Sequence, residues 1–148
     1  MTQQVKTPAQ LHRQHVQDEA FRLGIDDEYI SILVDSFYGR IRNHQVLGPI
    51  FAETIGSNWQ PHLGKMKDFW SSVAMSTGRY NGQPVPAHQK LTQVQQHHFG
   101  IWLDLFRQTL VETAPTPQAV EYFMERAERI ARSLQMAMFD RPGQLAEC

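Results

Sequence analysis

Three things are scarce in this chain, and each scarcity removes a class of protein. There is one cysteine, Cys148, at the last of 148 positions, so no intrachain disulfide and no thiolate metal cluster can be assembled. The formal net charge is -1, with basic residues scattered among acids, which leaves no field to attract a phosphate backbone; nucleic acid is not an expected partner. No run approaches the roughly 18 consecutive apolar residues of a membrane span, and the opening Met1-Thr2-Gln3-Gln4-Val5-Lys6 has no apolar signal core. The expected location is therefore cytoplasmic, away from any membrane. Also missing are alternating β-branched runs, His-Glu-x-x-His, Cys/His metal spacing, a phosphate-cradling Gly-rich loop and a nucleophile elbow.

What remains is an all-α pattern. With 41% hydrophobic and 20% charged residues, the chain suits one folded domain with one core. Residues 1–24 read as a polar, part-helical extension, residues 25–140 as the domain and residues 141–148 as a tail. Asp26 and Asp27 offer N-caps for a helix with Ile30, Leu33, Val34, Phe37, Tyr38 and Ile41 on one face. Residues 46–51 read as an apolar corner punctuated by Gly48 and Pro49, and 56–58 as a turn that can cap the next helix. Trp59, His62, Leu63, Met66, Phe69, Trp70 and Val73 then form a wide apolar stripe at helical period. Two glycines and two prolines break residues 77–86 into a long loop, with His88 on a short helical turn after it. Two further helices carry Phe99, Trp102, Leu103, Phe106 and Leu110, then Val120, Phe123, Met124, Ala127, Ile130, Leu134 and Met138, inward.

His62 and His88 are the candidate chemistry-bearing residues, although a lone histidine facing a core is more often a packing residue than a ligand. Tyr38 and Trp102 add two more polar heads from separate segments aimed into one aromatic interior. Buried polar groups without partners cost a few kcal/mol each, so such an interior should contain something for them to bond. A flat apolar cofactor with a central metal meets that description: an iron porphyrin needs one axial nitrogen, an apolar slot and hydrogen-bond donors on the open face. His12 and His15 lie on a polar segment and read as solvated. His97 and His98 are adjacent, face different directions on a helix and do not form a chelating pair, while Met66, Met75 and Met138 read as gap-filling core.

Taken in order, several segments give the chain a family resemblance: Phe37-Tyr38-Gly39-Arg40-Ile41-Arg42, Leu47-Gly48-Pro49-Ile50-Phe51, Trp59-Gln60-Pro61-His62 followed by Phe69-Trp70, Thr77-Gly78-Arg79-Tyr80-Asn81-Gly82-Gln83-Pro84 leading to His88, and His98-Phe99 with Trp102-Leu103-Asp104-Leu105-Phe106. Residues 26–139 resemble the group III (P-type) truncated haemoglobins. The resemblance implies a shortened globin fold, a two-over-two helical sandwich around one haem b. It implies His88 as the proximal iron ligand, Phe51 packing on the ring, and His62, Tyr38 and Trp102 as distal polar residues. Phe37 and Met66 line the apolar part, and Arg79, Tyr80 and Lys65 partner the propionates.

The implied activity is binding of dioxygen and other diatomic gases, carbon monoxide and nitric oxide, at a five-coordinate iron. The alternative is a haem enzyme for nitric oxide dioxygenation or peroxide reduction, which needs an external electron donor. The third possibility is a helical interaction module whose histidines merely pack. Nothing in the sequence demands more than a monomer.

Overall fold

The computed structural model describes residues 5–139 apart from Lys90 and Thr92; the expected tail at 141–148, with Cys148, lies outside the described residues. Among the described residues there are seven helices: α1 (Pro8–Arg22), α2 (Asp27–Asn43), α3 (Leu47–Ile55), α4 (Trp59–Met75), α5 (Pro84–Gln89), α6 (Gln96–Thr113) and α7 (Pro117–Phe139), and no strand.

Local chemistry explains where most of them begin and end. A capping box between Thr7 and Gln10 opens α1, with Pro8 in the first turn where no amide hydrogen is needed. The helix buries only Ala20 and closes through paired bonds from Ile25 N–H to Ala20 and from Gly24 N–H to Phe21. Gly24 holds φ +85° there, and a Cβ would meet the Pro115 ring at 2.9 Å, so glycine is required twice over. Asp26 caps α2 by accepting from the Tyr29 N–H at 2.8 Å. Asp27 and Glu28 in the first turn and Arg40 and Arg42 in the last complement the helix dipole. The face expected to point inward does so, with Ile30, Leu33, Val34, Phe37, Tyr38 and Ile41 all buried.

Two expectations are corrected. Residues 46–51 are not a corner: Leu47–Ile55 is helical, because Pro49 falls in the first turn, where a proline breaks nothing. Gly48 lets this helix lie against the end of α2, since a Cβ there would stand 2.7 Å from the Arg42 carbonyl oxygen. Asn58 occupies the N-cap of α4, but its side chain makes no capping bond.

The layers are simple. Helix α2 packs on α4 and on α6, and α6 packs on α7, while α5 lies against α7. The fourth side is closed by the Tyr122 hydroxyl, which donates to the Ala74 carbonyl at 2.6 Å, and by Trp70 against Phe123. The pair α2/α4 thus crosses the pair α6/α7, the two-over-two arrangement. Its centre is aromatic: Trp70, Phe37, Phe106 and Phe123 are fully buried, with Trp70 stacked on Phe106 at 4.8 Å and Phe37 edge-on to it at 4.9 Å. Each such pair adds about 0.5–1.5 kcal/mol beyond area burial, which rigidifies the floor on which the site stands.

Candidate functional site

Four helices deliver side chains to one region, and a fifth, α5, carries His88. Tyr38, from α2, is buried and stands edge-on to His62 of α4, ring centres 5.4 Å apart at 85°. Phe51 of α3 faces Tyr38 at 6.2 Å, and Trp59 of α4 faces both Tyr38 at 6.4 Å and His62 at 6.0 Å. Trp102 of α6 is edge-on to Phe37 at 5.4 Å and stacked on Phe106 and Trp70. Met66, half-buried one turn beyond His62, packs with this set. The helical spacing of 59, 62, 66 and 69 puts these α4 residues on one face.

Two histidines carry the unusual chemistry. The His62 Nε2 is the one buried side-chain nitrogen or oxygen among the described residues without a hydrogen-bond partner. Desolvation above all, then the charges of Lys65 and His88, holds its imidazole below the ordinary histidine range, so it is neutral at pH 7. On α5, the His88 Nδ1 lies 2.7 Å from the Pro84 carbonyl oxygen. A carbonyl can only accept, so Nδ1 carries the proton and Nε2 keeps a free lone pair, the arrangement that prepares an imidazole for a metal. Burial drives the Tyr38 phenol far above its ordinary value, leaving it a fixed, neutral donor.

The rim is polar. Lys65 is exposed on α4. In the loop before α5, the Tyr80 ring packs on Phe69 at 5.1 Å and its N–H donates to the Ser72 hydroxyl at 3.1 Å. Arg79, also exposed, already grips Asp27 through two bonds of 2.8 and 3.1 Å, tying the loop to the start of α2. Away from the site, the His97 and His98 rings do not diverge as expected but lie 4.3 Å apart, because the His98 Nδ1 turns back to accept from the Gln95 N–H. Among the described residues no cluster of three or more His, Cys, Asp or Glu side chains could hold a metal ion by itself.

No family model matches the chain. It is 34% identical over 122 residues to a group 3 truncated hemoglobin of Campylobacter jejuni, an alignment spanning 80% of this chain and 95% of that one. The crystal structure of a group III truncated hemoglobin from Campylobacter jejuni superimposes with a TM-score of 0.75 at 33% identity, covering 81% of this chain and 96% of that one. The chain belongs to the group III truncated haemoglobins. Truncated haemoglobins bind haem, and the chemistry of the residues present fits that group: an imidazole whose Nδ1 is engaged by the Pro84 carbonyl, leaving Nε2 without a proton, and a second, buried imidazole with an orphaned nitrogen beside aromatic rings. Sequence reading alone did not foresee that Trp59 meets Tyr38 and His62, or that Trp70 stacks beneath Trp102. Their signal was present, since both fall on the stripe of His62, but an aromatic at helical spacing reads first as core. No helix among the described residues is long and apolar enough to cross a membrane.

Proposed function

We propose that this globin holds haem b through His88 and receives a diatomic gas, dioxygen first among them, beneath Tyr38, His62 and Trp102. The observation that carries the reading is the His88 Nδ1 contact to Pro84, which presents Nε2 as a ready axial ligand. When bound, haem would supply an iron to which a diatomic gas can bind.

The protein does the rest. Phe37, Phe51 and Met66 would line the apolar part of the haem slot and exclude water from it, and Lys65, Tyr80 and Arg79 would hold the propionates, Arg79 from its pair with Asp27. A phenol kept neutral by burial and a neutral imidazole offer donors without bringing charge into the site. A hydrogen bond from such a donor to a partly anionic ligand would be worth roughly 1.5–3 kcal/mol, about ten- to a hundredfold in release rate. The reduced protein should therefore give a reversible oxygenated spectrum in air and let oxygen go slowly. Tyr38→Phe is expected to speed dissociation by about tenfold or more, and an unchanged off-rate would take Tyr38 out of the pocket's chemistry. Slow release, together with two neutral donors side by side, also favours a second reading: turnover of nitric oxide or of a peroxide with an external electron donor, lost in the Tyr38 and Trp102 variants.

A further inference from the structure

Trp59 is the first residue of α4 and is nearly buried, at 8% exposure. With Tyr38 and His62 it forms three rings that meet edge to face, its own plane at 89° to the imidazole and 61° to the phenol. Over its indole lies the guanidinium of Arg42, an exposed residue of the last turn of α2, 4.5 Å from the ring centre. The His62 ring has nothing else to hold it by its tip, because its Nε2 makes no hydrogen bond. Beside it on α4, Pro61, Gly64 and Lys65 are exposed, so the outward side is open. An unpartnered buried imidazole gains hydrogen bonds to water by swinging out. Packing against Trp59 opposes that swing.

We infer that Trp59, clamped from outside by Arg42, is a positioning residue that keeps His62 turned inward and so governs the admission of a diatomic ligand. The inference rests on the haem reading above. Its test is the rate of carbon monoxide association with the ferrous holoprotein after flash photolysis, read together with the C–O stretching band, which reports on the donors around the bound gas. Arg42→Ala should raise the association rate by about two- to fivefold, the factor an exposed cation–π contact is worth. It should also move the C–O band toward that of His62→Leu. Arg42→Lys, which keeps a cation over the ring, should restore both. Trp59→Phe should act in the same direction as Arg42→Ala, without the risk to folding that Trp59→Ala carries.

In the His62→Leu background, Arg42→Ala should change neither reading, because the ring it positions is gone. Parental rates and bands in both Arg42→Ala and Trp59→Phe, or an equal effect of Arg42→Ala with His62 absent, overturn the inference while leaving the haem reading intact. A parent protein that forms no ferrous–CO complex overturns both.

Discussion

Tyr38 does two things at once at the scale of single residues: it fills the angle between Phe37, Phe51 and His62, and it keeps its proton. Burial raises its folded pKa above the ordinary value of 10, so below pH 10 the neutral phenol costs nothing. Above that pH the unfolded chain loses a proton that the folded one retains, and stability falls as pH rises. Thermal midpoints measured from pH 9 upward should decline less steeply in Tyr38→Phe than in the parent. Tyr29, Tyr80 and Tyr122 shift in the same direction, so only the difference between the two proteins isolates Tyr38. Phe106 is the other pivotal residue, since it stacks on both Trp70 and Trp102. Phe106→Ala is expected to cost about 3–5 kcal/mol in chemical unfolding, and to loosen Trp102 in the process.

Helices begin and end here for reasons that were mostly written in the sequence, and the exceptions are instructive. Asp26 before Ile30, Leu33 and Phe37 specified α2, because a cap and a 3.6-residue period are local signals. Helix α3 was hidden because Gly48-Pro49 looks like a break, and only the approach to the Arg42 carbonyl shows why a glycine is needed. Gly48→Ala should therefore destabilise the fold by about 1–3 kcal/mol, measurable by denaturant titration, despite alanine's higher helix propensity. At the start of α6, the His98 Nδ1 accepts from Gln95 N–H, and burial followed by the nearby His97 charge lowers its pKa below 6.5. A histidine shifted down contributes stability that is present above pH 6.5 and lost as pH falls below it, as the unfolded chain takes up a proton the cap resists. Amide exchange in the first turn of α6 should show protection falling between pH 7 and 5, and His98→Ala should remove that pH dependence.

Across the whole molecule, the packing of α2/α4 against α6/α7 brings side chains of α2, α3, α4 and α6 into one aromatic cluster, while α5 lies against α7. The resemblance carried by Phe37-Tyr38, Trp59-Gln60-Pro61-His62 and the loop to His88 made the fold legible and singled out His62 and His88 as candidates. It could not show that Trp59 joins the ring cluster or that Arg79 is held by Asp27, because both depend on distances between segments far apart in the chain. That exposed pair is worth little to stability, so Asp27→Asn should leave the thermal midpoint nearly unchanged. The absorption spectrum of the ferrous protein, with and without His88, tests the central claim most directly. The parent should show a five-coordinate histidine-ligated Soret band that sharpens and shifts with carbon monoxide; His88→Gly should lose that band and regain it on addition of imidazole. A His88→Gly spectrum identical to the parent's, with haem still bound, would contradict the account.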